Sequence, residues 1–361
     1  MKLGVLKEQN DNRVALVPQS LSKFKDLGIE ILIETGAGEG AMHSDADYAE
    51  HATVTSRGEI IQHADLLLSI DPLSDEELKM VPKGRTIIAQ FEPFLDKEIT
   101  GKLQSMGLNG LSMDMIPRTS LAQAMDVLSS MASVAGYRAV LEAATYLPRF
   151  LPMMITAAGS IKPSRVLILG AGVAGLQAIA TARRLGAIVE ASDTRLAAKE
   201  EVESLGAKFV EVEGAKDDTS AGGYAVQQSE EFLQRQRAEV QLRASKADII
   251  ITTAQVRGRK APILIPKETI GKMKKGAVIV DLASSTGGNV EGSKDKEVVK
   301  INGVTIIGNS SLASKMPEDA SFLYSTNVLN FVKILIKDGA LHLDKGNEII
   351  RGAWFTEPAE A

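Results

Sequence analysis

The sequence predicts an α/β protein: two Rossmann-like domains with a cleft between them, each a doubly wound parallel sheet, joined by long helices. Three observations predict it. Short apolar runs alternate with amphipathic stretches along the chain, as parallel strands alternate with crossover helices. The turn Gly170-Ala171-Gly172-Val173-Ala174-Gly175 lies between one such run and one such stretch. A length of 361 residues is enough for two cores of ordinary size.

In the first domain the strands are expected at Lys2–Leu6, Glu30–Glu34, Asp65–Ile70, Thr86–Gln90 and Leu108–Met113. The helices between them are expected at Pro18–Leu27, Asp45–His51, Ser56–His63, Ser74–Met80 and Asp96–Ser105. A helical region rich in Ala, Met and Leu follows from about Ser120 to Phe150. It is too long for an ordinary crossover, so it reads as a bridge between domains, with Gly136 allowing a bend.

The second domain has strands expected at Arg165–Leu169, Ile188–Ser192, Lys208–Val212, Asp248–Thr252, Ala277–Leu282 and Val304–Ile307. Such a set completes a dinucleotide-binding sheet. Between Val212 and Asp248 runs a polar insertion, Glu213 to Lys246, containing a charged helix at Ser229–Ser245. Its length marks it as a functional flap or as disorder. An apolar helix at Asn327–Lys337 reads as returning to the first domain. The expected division is therefore residues 1–127 with 311–361, a discontinuous N-terminal domain, and residues 128–310, the nucleotide-binding domain.

Composition narrows the function. A formal charge of −5 excludes a nucleic-acid partner, because phosphate binding needs a basic face. The basic run from Lys272 to Lys275 is broken by Met273 and reads as a solvated helix end. The absence of cysteine removes disulfides, thiolate nucleophiles and the usual structural zinc sites, and no metal site is predicted. No window reaches the roughly eighteen apolar residues of a membrane span, and the start MKLGVLKEQN lacks a signal-peptide core. A protein of the cytoplasm is expected.

The glycine turn carries chemistry because each glycine has a physical task. Gly170 permits the tight turn, Gly172 lets backbone approach a pyrophosphate, and Gly175 lets helix and strand pack closely. The pyrophosphate would rest on the helix N-terminus at Val173 and Ala174. The next strand ends at Asp193-Thr194-Arg195. A carboxylate there accepts the ribose hydroxyls of NAD(H) and repels the 2′-phosphate of NADP, although Arg195 nearby can tolerate a phosphate. A bound NAD(H) is the reading; a plain glycine turn with a surface aspartate is the bland one.

Most NAD-dependent dehydrogenases need a base with a pKa near neutrality, and histidine is the common choice. The four histidines, His43, His51, His63 and His342, all lie away from the expected strand ends. The first domain is thus expected to supply no acid or base. Direct hydride transfer between two nicotinamide rings needs none. The remaining polar constellation is Arg118, Gln123 and Asp126, with Ser129 one turn beyond. Gln123 and Asp126 share a helix face, so the set can hold a carboxamide and ribose; equally, Asp126 and Arg118 can cap or pair at a helix end.

These residues carry a resemblance. Pro117-Arg118, Gln123, Met125-Asp126, Leu128-Ser129-Ser130, Ala135–Val140, GAGVAGLQAIA at Gly170–Ala180 and Ala221–Ala225 are similar to the NAD(H)-binding component of proton-translocating nicotinamide nucleotide transhydrogenase, in its alpha subunit. The resemblance implies that Arg118, Gln123 and Asp126 form a loop over the nicotinamide, with Ser129 beside them. It implies that Tyr224 sits on a mobile loop closing over the nucleotide. It further implies a homodimer and hydride transfer to NADP(H) held on a separate beta-subunit component. A membrane-spanning component would couple the exchange to proton movement and keep this chain peripheral at the inner face of the cytoplasmic membrane, without inserting. Many members continue into transmembrane helices past the point where this sequence stops, Ala361, which implies a split gene or a shortened chain.

Alanine dehydrogenase resembles the chain too, sharing the fold and the Lys7, Glu8 and Arg13 region. Its lysine would fall in Ser69-Ile70-Asp71-Pro72, its histidine in Ala89-Gln90-Phe91-Glu92, and its aspartate in Ala283–Gly287. None of the three is present. A non-enzymatic NAD(H) sensor is the other alternative; it would need only the adenosine half, so Gln123 would be dispensable.

Overall fold

The structure is a computed structural model and describes residues 1–212, 230–255 and 258–357. Tyr224, with residues 213–229 of the polar insertion, lies outside the described residues. The chain forms two compact units. One is Met1–Met131 with Ala313–Ala361, the other Ala132–Leu312.

The first unit begins with β1 (Lys2–Val5), α1 (Pro18–Lys25), β2 (Glu30–Glu34), α2 (Asp45–Tyr48), β3 (Thr53–Thr55) and α3 (Arg57–His63). It continues through β4 (Leu66–Leu68), α4 (Asp75–Met80), β5 (Thr86–Ala89), α5 (Ile99–Met106) and β6 (Asn109–Ser112). Local chemistry sets the helix ends. Pro18 opens α1, the Ser56 hydroxyl caps α3, and Ser74 with Glu77 makes a reciprocal capping box on α4. The sheet order is β3-β2-β1-β4-β5-β6, all parallel. Strands reverse direction of winding between β1 and β4, and a crevice at such a switch point is where open α/β sheets bind ligands.

A 3₁₀ turn at Ser120–Met125 then leads into α6 (Val127–Tyr146). The uninterrupted helix expected from Ser120 is thus two elements. The boundary between the units falls inside α6.

The second unit adds the hairpin β7 (Met154–Thr156) and β8 (Gly159–Ile161), then β9 (Arg165–Leu169), α7 (Val173–Arg184), β10 (Ile188–Ser192), α8 (Ala198–Ser204) and β11 (Lys208–Phe209). After it come α9 (Glu230–Lys246), β12 (Ile249–Thr252), α10 (Lys267–Lys272), β13 (Val278–Asp281), β14 (Glu297–Ile301) and β15 (Val304–Gly308). The order is β11-β10-β9-β12-β13-β15-β14, with only β14 antiparallel. Alternate residues of the central strands feed opposite faces. Val166, Ile168, Ile249 and Ile251 join one core, and Leu167, Leu169 and Ile250 the other. Gly136 lies inside α6. It packs that helix against α7, where the Ala174 carbonyl would lie 2.1 Å from a Cβ at residue 136. Lys274, expected as a solvated helix end, pairs with the buried Asp248 at 2.7 Å.

The chain returns to the first unit with α11 (Pro317–Leu335) and α12 (Glu348–Ala353). The helix starts ten residues before the expected Asn327. Tyr324, Val328, Phe331 and Val332 from α11 share a core with Leu3, Val5, Leu21 and Phe24. Ser321 and Ser325 accept hydrogen bonds from the backbone N–H groups of Val14 (2.9 Å) and Val17 (3.2 Å). No helix among the described residues is long and apolar enough to cross a membrane.

Candidate functional site

In the second unit the glycine turn sits at the C-terminal end of β9, beside its switch to β12. Gly170 has φ +100°, a conformation that side chains resist. Its carbonyl accepts from the Thr253 hydroxyl at 3.1 Å, which ties the turn to the end of β12. A Cβ on Gly175 would stand 1.9 Å from the Gly170 carbonyl oxygen, so only glycine lets α7 approach the strand this closely. Gly172 is different. It is the N-cap of α7, offers no side-chain cap, and a Cβ there would meet nothing within 4 Å. The α7 N-terminus therefore opens beside exposed Gly172 and Val173, with the positive end of the helix dipole behind them. That arrangement fits a pyrophosphate.

Asp193 follows β10 on the same edge. Its carboxylate accepts from the Ala171 N–H (2.7 Å), the Arg195 N–H (2.8 Å) and the Arg195 Nε (3.1 Å) and Nη2 (3.3 Å). Arg195 Nη2 also donates to the Ala171 carbonyl at 3.2 Å. The two residues expected to read the ribose and to tolerate a phosphate are thus bound to each other. A carboxylate has about four acceptor positions, so ribose hydroxyls must share or displace the guanidinium donors. Its bonds to Asp193 hold Arg195 above the ordinary guanidinium range. Thr194 is exposed.

In the first unit the structure brings together Arg118, Asp126 and Ser129. Asp126 accepts from the Ser129 N–H (2.9 Å) and Oγ (2.6 Å), which caps α6. Arg118 Nη2 donates to Ser129 Oγ at 3.3 Å, and its Nε lies 3.7 Å from Asp126. The capping and pairing expected as the bland alternative are present. They leave Arg118 exposed while Asp126 stays mostly covered, and Gln123 is exposed on the preceding 3₁₀ turn.

A carboxyl outside the histidines, Glu8, is buried in this unit. It follows β1 and is buried at the switch between β1 and β4, where the N–H groups of Ile70 (2.6 Å) and Asp71 (3.1 Å) donate to it. Burial pushes its carboxyl up to about 7, against those two hydrogen bonds and with help from Asp71 and Asp11. Glu8 is therefore a carboxyl in this unit held above the usual carboxylate range, which the histidines alone do not reveal. The signal was a carboxylate two residues beyond an apolar strand. Glu92 is also raised, first by loss of solvent and then by Asp114 and Asp71. Where alanine dehydrogenase would carry its lysine and histidine, Asp71 and Glu92 repel each other. Asn289 was passed over as well; its amide bonds both the N–H (3.0 Å) and the carbonyl (2.9 Å) of Ala254, next to Thr253.

Residues 4–135 match the family profile Alanine dehydrogenase/PNT, N-terminal domain, and residues 139–360 match the profile of its C-terminal domain. The chain is 42% identical over 365 residues to the NAD(P) transhydrogenase subunit alpha of Cereibacter sphaeroides, covering 99% of this chain and 70% of that one. A crystal structure of transhydrogenase from Sinorhizobium meliloti superimposes with a TM-score of 0.90 at 40% identity, covering 98% of this chain and 97% of that one. A solved L-alanine dehydrogenase superimposes with a TM-score of 0.77 at 26% identity, covering 94% and 91%.

Proposed function

The chain belongs to the alanine dehydrogenase/PNT family of oxidoreductases, and from that premise we propose that it is the NAD(H)-binding component of a proton-translocating transhydrogenase. Hydride passes directly between NADH and NADP held on a beta-subunit component. A membrane-spanning component couples the exchange to proton movement, so the chain, working as a homodimer, is peripheral at the inner face of the cytoplasmic membrane.

The observation that carries this reading is the Arg118–Asp126–Ser129 cluster. Asp126 fixes Arg118 and Ser129 at the start of α6, and Arg118 and Gln123 remain exposed. These groups bind and orient, and direct ring-to-ring transfer asks for orientation rather than proton transfer. In this reading the α7 N-terminus with Gly170, Gly172, Val173, Ala174 and Gly175 holds the pyrophosphate. Asp193, with Thr194 and Arg195 beside it, takes the adenosine ribose. Arg118, Gln123, Asp126 and Ser129 take the nicotinamide end. Tyr224 is assigned to a closing loop. Bound NADH supplies the hydride itself.

The test is hydride transfer from NADH to an NADP analogue, with and without a purified NADP-binding transhydrogenase component. Transfer only with the component present supports the proposal. NADH oxidation by pyruvate and ammonia, with no transfer, would return the chain to amino-acid dehydrogenase chemistry.

A further inference from the structure

On α11, well separated in sequence from the nicotinamide set, two amides converge on one backbone oxygen. Asn327 Nδ2 donates to the Ala124 carbonyl at 2.9 Å, and Asn330 Nδ2 donates to the same oxygen at 3.2 Å. The two residues stand three apart on one helix face, so both reach the same point. Ala124 directly follows Gln123 and precedes Asp126 by two residues.

The turn they hold carries Gln123. It is a 3₁₀ turn, Ser120–Met125, whose geometry makes poorer hydrogen bonds than an α-helix. Its backbone bonds are local: Ala122 N–H to the Thr119 carbonyl at 3.1 Å, and Asp126 N–H to the Gln123 carbonyl at 3.3 Å. Ala122 and Met125 are buried in the core that contains Tyr324, Val328 and Phe331, while Leu121, Gln123 and Ala124 are exposed. Apolar anchoring is non-directional. It fixes where the turn lies and leaves open how it is rotated. Two hydrogen bonds to one carbonyl, filling both lone pairs, remove that freedom.

Asn327 shows that the donor matters at this position. It is 6% exposed, and its Oδ1 is buried without a hydrogen-bond partner among the described residues. A leucine of similar size would fill the same space and leave no such acceptor. The amide is kept at a cost, and what it does is hold Ala124.

We propose that Asn327 and Asn330 are positioning residues that hold the Ser120–Met125 turn, and Gln123 with it, in the orientation hydride transfer requires. The inference rests on the transhydrogenase reading. Neither amide touches the nucleotide; both act through the backbone of the turn.

The test uses the full chain carrying Asn327→Leu, Asn330→Ala and both together. Hydrogen exchange of the peptide covering residues 118–127 should rise in each variant and nowhere else. With the NADP-binding component added, the double variant should transfer hydride about tenfold more slowly, while NADH affinity measured by fluorescence stays within about twofold. Asn330→Gln, which keeps an amide, should recover most of the rate lost in Asn330→Ala. Unchanged exchange in residues 118–127, unchanged transfer, or affinity lost in step with rate would each overturn the proposal. Should Asn327→Leu fail to fold, the half-buried Asn330 variants carry the same test. A wild-type chain that shows no transfer, while the exchange difference persists, would sink the transhydrogenase reading and leave the hold on the turn standing.

Discussion

The carbonyl of Ala174 occupies the place where residue 136 would carry a Cβ, at 2.1 Å. Gly136 on α6 thereby sets how closely the N-terminal end of α7 is held. Gly136→Ala forces one of the two helices to move. It should cost about 1–3 kcal/mol in denaturant unfolding and weaken NADH binding about tenfold.

Gly172→Ala is the opposite case. The residue has φ −74° and open space around the absent Cβ. Stability should change by no more than about 0.5 kcal/mol. NADH affinity should nevertheless fall tenfold or more, since the methyl group enters the approach to the α7 N–H groups. A fluorescence titration alongside a melting curve separates the two glycines; similar losses of stability in both variants would remove the distinction.

Gln123→Asn shortens an exposed side chain that makes no contribution to the core. Transfer to NADP on the partner component should drop far more than NADH affinity. Equal losses in rate and affinity would argue that Gln123 binds the nucleotide without orienting the ring.

Asp193→Asn keeps an oxygen for the Ala171 N–H and withdraws the charge from Arg195. The guanidinium is then available to a 2′-phosphate. The ratio of NADH to NADPH affinity should fall by at least tenfold, read from paired titrations. An unchanged ratio would show that discrimination lies elsewhere.

Glu8 gives a pH signature. Its folded-state pKa, about 7, stands above the ordinary 4.5, so the native state retains a proton that the unfolded chain releases. Stability from this group is full below about pH 4.5, is lost as pH rises through 7, and changes no further above it. Glu8→Gln removes the dependence. The wild-type stability minus that of Glu8→Gln should fall by roughly 3 kcal/mol between pH 4.5 and pH 8. A difference that stays flat across that range would mean Glu8 titrates as an exposed carboxyl.

Much of the fold was legible because the central strands are buried on both faces and so are continuously apolar. The edges were not. β3 and β14 are partly exposed and mix polar with apolar residues, and β14 pairs against the direction of its neighbours. The start of α11 was hidden for a different reason. Ser321, Ser325 and Asn327 look like surface residues in sequence, yet they are buried because they bond the backbone of Val14, Val17 and Ala124. The glycine turn could be read directly, since backbone conformation dictates its residues. Glu8 could not: its burial depends on Ile70 and Asp71, some sixty positions away.

The discontinuity of the first unit also shapes how the chain is made. The β1–β6 sheet leaves the ribosome with Leu21 and Phe24 lacking Tyr324, Val328 and Phe331, and with the N–H groups of Val14 and Val17 lacking their serines. The whole second unit, Ala132–Leu312, must be synthesised before α11 arrives. At roughly 5–20 residues per second that interval lasts on the order of ten to forty seconds. For that time the nascent chain carries an uncovered apolar sheet face beside a second unit free to complete itself. The discontinuous unit thus cannot close its core until the unit inserted in it has been made.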